Sequence, residues 1–300
     1  MHVDAARLVL GAGFLVAASL QDWRTRKIDD RIWVAMGSCG LAILAADGYI
    51  HLLPWEHFLI LIPAAILFYA TFYGKELLDE HGWHLRPARI ALFAVAGIVL
   101  GYEGFALVGT PNSGIFYGDL AIPVMILLAL VFYHTGLLHG GADVKALMAV
   151  TLLAPTYPAL GTFPLLVVDA RLTTAYPFSL AVLTNAAFAF VFAPLILLAV
   201  NARRGTVKLP RALFGYRVPI DKVPRFTWVM EVVRDGARRV VYSPRRTKER
   251  EEALADLRAV GATDVWVMPQ IPFIVPITGG FILGFLVGNL LMGIMAAALP

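Results

Sequence analysis

Ser19-Leu20-Gln21-Asp22-Trp23-Arg24-Thr25-Arg26-Lys27-Ile28-Asp29 is the stretch on which the fold turns. Residues 8–21 before the aspartate carry no charged side chain, and residues 32–46 beyond the stretch carry none. It therefore reads as a short charged turn between two apolar segments, with Asp22 where the first segment ends. The same kind of junction recurs at Gly140-Gly141-Ala142-Asp143-Val144-Lys145, which closes the uncharged run 120–142.

Composition explains what the runs are. The chain has 300 residues, 59% of them hydrophobic and 15% charged, against about 25% charged in a soluble domain. Crossing a bilayer takes roughly 20 mostly apolar residues. Residues 120–142, 146–168, 172–202 and 265–300 contain no Lys, Arg, Asp or Glu, and shorter runs lie at 8–21, 32–46, 57–74 and 90–102. The expectation is a polytopic α-helical membrane protein of about eight helices, the fourth ending near residue 106 beyond Glu103. Asp4 precedes the only early cation, Arg7, so the first run lacks the basic flank of a secretory signal and reads as a retained helix. Cys39 is the sole cysteine and the seven histidines form no H-x-x-x-H or HExxH pattern, so neither a disulfide framework nor a metal or cofactor site is expected.

Lys and Arg orient the segments, because they accumulate on the cytoplasmic side. Arg24, Arg26, Lys27 and Arg31 fill the 22–31 turn, Lys75, Arg86 and Arg89 the 75–89 connection, and Lys145 follows the fifth helix. Residues 47–56 and 102–119 contain no Lys or Arg, and the 169–176 turn has only Arg171. The N-terminus is thus expected outside. Asp22 and Asp143 then fall at the same, cytoplasmic, face.

One segment is not apolar. Residues 201–264 hold 15 of the 25 Lys and Arg and 8 of the 21 Asp and Glu, a local net charge of +7. Phe226–Val233 and Arg239–Tyr242 read as strands rich in β-branched and aromatic residues. Ser243-Pro244 reads as a helix start, with Ala253, Leu254, Leu257 and Val260 on one face and Gly261 as the stop. Thr263–Met268 follows as a strand. The division expected is a membrane domain over 1–200, a small basic cytoplasmic α+β domain over 201–272 and a final transmembrane helix over 273–300. The basic domain suits anionic lipid headgroups, at about 1 kcal/mol per nearby cation, and no nucleic-acid motif accompanies its charge. Gly280, Gly284 and Gly288 share one face of the last helix, which permits close packing within the chain or, alternatively, a homodimer seam.

Two carboxylates at matched depth suggest amide hydrolysis. A pair sharing one proton has one member free to act as base toward water while the other donates to the carbonyl oxygen. Gly140, Gly141 and Ala142 leave room beside Asp143 for water or an extended peptide. Aspartates at helix ends also serve as caps or meet interfacial water, and charged groups within membranes line ion pathways.

The segment Ser19–Asp29 and the later Gly-Gly-Ala-Asp-Val-Lys-Ala-Leu at 140–147 resemble the type IV prepilin peptidases, membrane aspartyl proteases of the GxGD kind (family A24). The basic insert ending in Trp266-Val267-Met268-Pro269-Gln270-Ile271-Pro272-Phe273, just before a final helix, is similar to the archaeal preflagellin/prepilin branch. The resemblance implies six helices, with residues 57–106 as an extra hairpin. It makes Asp22 and Asp143 the catalytic pair and Gly140, Gly141 and Lys145 motif positions. Ala142 stands where the pattern has its second glycine, and the cysteine-rich zinc region of bacterial members is absent, so their N-methylation activity is not implied.

The substrate so implied is a membrane-inserted pilin-like or archaellin precursor with a basic leader, cut at the cytoplasmic face. Asp29, Asp30, Glu76, Asp79 and Glu80 are anions that either meet this leader or balance nearby cations. Two other readings stand beside it. A presenilin or signal-peptide-peptidase type of protease would place its aspartates within helices, whereas these lie at ends. A proton-coupled transporter would commonly show internal repeats with interrupted helices at the midplane, and no repeat is found.

Overall fold

The computed structural model describes residues 2–73, 86–138, 140–166, 176–242 and 250–298, with the backbone of 78–79 and 82–83. Lys75, Glu76, Glu80, Arg171 and Ser243-Pro244 lie outside the described residues. The chain divides into two compact units, Met1–Ala187 with Pro272–Pro300, and Phe188–Ile271.

In the first unit, α1 (His2–Thr25) and α2 (Asp30–Ile50) form an antiparallel hairpin whose tight turn is the quoted stretch. Arg26 takes a left-handed φ of 56° and donates its N–H to the carbonyl of Asp22, 2.9 Å away, which ends α1. Asp29 caps α2 by accepting from the N–H of Arg31 at 2.9 Å, the usual service of an aspartate at a helix start. A 3-10 turn at Trp55–Ile60 leads into α3 (Leu61–Tyr69), and a two-residue hairpin (β1, Leu78–Asp79; β2, Gly82–Trp83) precedes α4 (Pro87–Leu107). Next come α5 (Ser113–His134), α6 (Gly141–Leu153) and α7 (Phe178–Val191), whose residues beyond Ala187 enter the second unit. After the second unit the chain returns as α10 (Ile274–Leu286) and α11 (Leu290–Ala298).

Among the described residues, five helical stretches are long and apolar enough to cross a membrane: His2–Thr25, Asp30–Ile50, Pro87–Leu107, Ser113–His134 and Phe178–Arg203. The protein is thus a multi-pass helical membrane protein with a small α+β unit. Three of the eight apolar runs differ from single long helices. The run 57–74 contributes only the 3-10 turn and the short α3. The run 146–168 stays helical only to Leu153, because Pro155 bars the helical conformation from Ala154, which adopts φ −136° and ψ 79°. The last run, expected as one helix over 273–300, breaks at Gly288, whose φ is 103°.

The freed backbone groups at that break are satisfied by neighbours, as a low-dielectric interior demands. Asn185 donates to the carbonyl of Gly288 at 2.9 Å and accepts from the N–H of Leu290 at 3.1 Å. Leu166 donates its N–H to Val287. A Cβ at Gly280 would lie 2.4 Å from the carbonyl of Val182, one at Gly284 2.8 Å from the Phe178 ring, and one at Gly288 2.3 Å from the carbonyl of Leu166. At these three glycines the chain's own atoms pack against the helix, the internal packing expected of them.

The core of this unit is α6. Every residue from Ala146 to Pro155 is buried. A Cβ at Gly40 of α2 would come 2.6 Å from the Leu152 carbonyl carbon, and one at Gly11 of α1 would run into Phe281 and Leu153. Glycine at these two points lets α1 and α2 close on α6, which fixes where its first turn points.

In the second unit, α8 (Ala193–Arg203) leads into a three-stranded antiparallel sheet ordered β3 (Tyr216–Pro219), β7 (Asp264–Pro269), β4 (Thr227–Val229). A separate hairpin, β5 (Glu231–Arg234) and β6 (Ala237–Val240), turns through Asp235-Gly236, both at positive φ. The stretch Phe226–Val233, expected as one strand, is thus divided at Met230. The helix of this unit, α9, is described over Arg250–Ala259 and packs Leu254 and Leu257 with Val218, Val229, Val265 and Val267. Strand β3 has no counterpart in the sequence-based expectation.

Candidate active site

Asp22 lies in the last turn of α1 and Asp143 in the first turn of α6. Both are half-buried, and the charge of Asp22 acts directly on Asp143. The carboxyl of Asp143 precedes the uncharged run 146–168 and stands outside the five candidate spans. Burial first, and the Asp22 charge second, push it up to about 7. Near neutrality the Asp143 carboxyl is therefore partly protonated.

The glycine before the aspartate has a specific task. Gly140 caps α6, its carbonyl accepting the N–H groups of Asp143 at 3.1 Å and Val144 at 3.3 Å. The Asp143 side chain folds back over it, so that a Cβ at Gly140 would lie 2.3 Å from Oδ2 and 2.9 Å from Cγ. Any larger residue would evict the carboxyl. Gly141 is different: it is exposed, and a Cβ there would meet nothing within 4 Å. Ala142 is half-buried, so its methyl is accommodated where the GxGD pattern has glycine.

Lys145 does not point at the dyad. Its ammonium sits 2.7 and 2.8 Å from the two carboxylate oxygens of Asp30 and 5.2 Å from the centre of the Phe72 ring. It joins the first turn of α6 to the first residue of α2, beside the exit of α3. On the other side of the turn, Gln21 accepts the N–H of Asp29 through Oε1 at 3.1 Å. Of the five anions considered for a leader, Asp29 is thus a helix cap and Asp30 the partner of Lys145; Glu76, Glu80 and the side chain of Asp79 lie outside the described residues.

One contact near the site left no trace in the sequence pattern. Ser19, one turn before Asp22, shares a 2.8 Å hydrogen bond with Thr278 of α10, and Thr278 also donates to the carbonyls of Ile274 and Leu15. This fixes the rotation of α1 about its axis. A lone hydroxyl in an apolar run announces nothing by spacing. A second set of polar side chains, His57, Glu103 and Asp119, is buried at the opposite ends of the helices, with His57 Nδ1 2.6 Å from Asp119 Oδ2. Glu103, the residue that interrupts the run 90–102, is fully buried there within α4. Among the described residues, no group of three or more His, Cys, Asp or Glu could hold a metal ion.

The second unit has its own electrostatic centre. Arg238 donates to Glu231 Oε2 at 2.5 Å and to the Asp264 carbonyl at 2.7 Å, while Arg217 also pairs with Asp264. Burial alone would lower the Arg238 pKa, but its bonds to Glu231 and Asp264 raise it, so the guanidinium stays charged.

The helical membrane protein thus brings two carboxylates from two helix ends within electrostatic reach of each other. Residues 207–290 match the family described as archaeal peptidase A24 C-terminus, type II. That match supports an archaeal A24 prepilin/preflagellin peptidase family. An uncharacterised protein of Methanocaldococcus jannaschii is 24% identical over 274 residues, covering 89% of this chain and 87% of that protein.

Proposed function

We propose that the protein is an aspartic endopeptidase in which Asp22 and Asp143 form the catalytic dyad, and that it removes the basic leader from pilin-like or archaellin precursors. The observation that carries this reading is the meeting of two carboxylates from distant helix ends, close enough that one feels the other's charge. The deprotonated member takes a proton from water as the water oxygen attacks the scissile carbonyl. The protonated member gives its proton to the carbonyl oxygen, forming a tetrahedral diol. The member now protonated gives its proton to the amide nitrogen while the other takes the proton of a diol hydroxyl; cleavage of the C–N bond then releases the leader as a carboxylic acid and leaves one proton on the pair.

The Lys and Arg of the 22–31 turn and Lys145 favour a cytoplasmic dyad under the positive-inside rule. At that level a precursor's leader–helix boundary can present an extended peptide, as its carbonyl must be free of helical hydrogen bonds. The basic second unit is suited to anionic headgroups, at about 1 kcal/mol per nearby cation.

The test is leader removal from a co-reconstituted archaeal precursor. Asp22→Asn and Asp143→Asn should each abolish cleavage while the protein still inserts and purifies as before. Wild-type cleavage by either variant would remove that residue from the dyad.

A further inference from the structure

The chain leaving α8 is pinned to the end of that helix. Asn201, fully buried in its last turn, shares its amide N–H groups among the carbonyls of Leu197 at 2.9 Å, Ala212 at 3.1 Å and Gly215 at 2.8 Å. Gly205 turns the chain at a left-handed φ of 64°, and Thr206 returns its N–H to the Asn201 carbonyl at 3.0 Å. The loop from Arg204 to Gly215 is thus folded back on α8 and held at the level of its last turn.

The surface of that loop mixes apolar and basic side chains. Val207 and Leu209 are 46% and 66% exposed, and they alternate with the exposed cations Arg203, Arg204 and Lys208. No Asp or Glu occurs between residues 171 and 220. Arg204 rests over the Tyr216 ring at 5.3 Å, and among the described residues Arg203 and Lys208 form no ion pair. Single exposed apolar residues are ordinary on a protein surface. These two are held beside the basic end of Phe178–Arg203, a candidate span. Leu195, also exposed, precedes Arg203 by roughly 12 Å along α8 at 1.5 Å per residue. With Leu195 facing hydrocarbon, Arg203 reaches the headgroups, and the pinned loop reaches them with it.

We infer that residues 203–209 form an interfacial anchor, in which Val207 and Leu209 enter the upper acyl region while Arg203, Arg204 and Lys208 hold the phosphates of anionic phospholipids. Apolar burial and attraction to anionic lipid together give surface segments their membrane affinity, and long basic side chains keep their charged heads at headgroup level while their stems lie on apolar surface. The anchor rests on the headgroup reading of the basic second unit and narrows it to one face; it stands apart from the peptidase reading.

The experiment places a bimane fluorophore on Leu209→Cys, or on Lys222→Cys as the comparison, in full-length protein whose sole cysteine is replaced by Cys39→Ser. Lys222 is exposed and follows the far end of β3, a strand of roughly 10 Å that starts at Tyr216 beside Arg204. The protein is reconstituted into mixed phosphatidylglycerol and phosphatidylcholine vesicles, with a nitroxide high on the acyl chain of one lipid or the other. The fluorophore at 209 should be quenched, about fivefold more by labelled phosphatidylglycerol than by labelled phosphatidylcholine, the worth of one cation near the surface. The fluorophore at 222 should be quenched by neither. Arg203→Gln combined with Lys208→Gln should bring the two lipids close to parity at 209, with the protein still eluting as a single species. Val207→Cys serves in place of Leu209→Cys if that variant does not reconstitute. An unquenched fluorophore at 209, equal quenching at 209 and 222, or a lipid preference unchanged by the two Gln substitutions overturns the anchor. Quenching at 222 alone overturns it too, but leaves the second unit on the headgroups through another face.

Discussion

Gly140→Ala is the sharpest probe of the site, because its effect can be worked from one distance. The added methyl carbon would lie 2.3 Å from Asp143 Oδ2, whereas ordinary contact begins at 3.4 Å. The carboxyl must therefore retreat by about 1 Å. It is the free end of a side chain, so the fold survives the change; loss of glycine at a helix cap costs about 1 kcal/mol of stability. Catalysis is less tolerant, since a 1 Å displacement of a reacting group costs about 100-fold in rate. Gly141→Ala is the internal control: nothing lies within 4 Å of its Cβ, and its φ is not in the left-handed region. Single-turnover cleavage of a precursor in proteoliposomes, followed by gel mobility, reads both variants. The expected result is about 100-fold loss for Gly140→Ala with thermal stability nearly kept, and a rate within about twofold of wild type for Gly141→Ala. A Gly140→Ala variant that cleaves at the wild-type rate, or equal damage by the two substitutions, would refute the folded-back carboxyl as the reason for glycine at 140.

The pair Lys145 and Asp30 should act as one strut. Lys145→Met and Asp30→Asn are each expected to slow cleavage about 10-fold, with the double variant no worse than either single one, as two members of one contact behave; additive losses in the cycle would show separate roles. Both side chains are partly exposed, so melting temperature should hardly move. The pH–rate profile follows from Asp143, whose carboxyl is pushed up to about 7 by burial and by Asp22. The dyad keeps its shared proton below that pH and loses it above, so kcat should fall as pH rises through about 7, toward a tenfold loss per unit. It should also fall at acid pH once both carboxyls are protonated, and a rate still climbing at pH 9 would contradict the assignment. In the second unit, Arg238→Met leaves the buried Glu231 without its guanidinium partner. Arg238 is itself about one-third exposed, so the expected destabilisation is about 1–3 kcal/mol by thermal unfolding, with insertion of the membrane helices unaffected.

Sequence pattern marked the ends on which Asp22 and Asp143 sit better than it marked the helices between them. Asp22 and Asp143 are visible because each ends an apolar run, and the charge of the adjoining turns puts both on one side. Charge suggests which ends share a side; how closely they approach is set by long-range packing that no local spacing predicts. The interruptions at Ala154 and Gly288 are invisible to hydropathy, because the residues beyond each break remain apolar. Pro155 is a clear stop once the preceding residue is considered, but Gly288 reads equally well as a packing glycine. Strand β3 escapes because Tyr216-Arg217-Val218-Pro219 is short and ends in proline, a poor strand residue; it forms as an edge against β7, where proline is tolerated. The link between Lys145 and Asp30 is long-range, and no local spacing predicts it.

The burial of α6 bears on how the dyad is assembled. With Ala146 to Pro155 enclosed on every side and Gly40 drawn against the backbone of Leu152, the first turn of α6 has one position, and Asp143 is folded back upon Gly140 rather than extended. Any adjustment of the distance between the carboxylates must then come from the end of α1. That end is secured by the Ser19–Thr278 hydrogen bond one turn inward and by the Asp29–Gln21 bond across the turn. Two restraints from different partners act on the helix turn that carries Asp22, so its approach to Asp143 is set by α10 and α2 together. Under the proposed peptidase reading, a site built this way has its reactive groups at helix ends, where water and an extended peptide have access. Its precision comes from a helix that contributes no other chemistry.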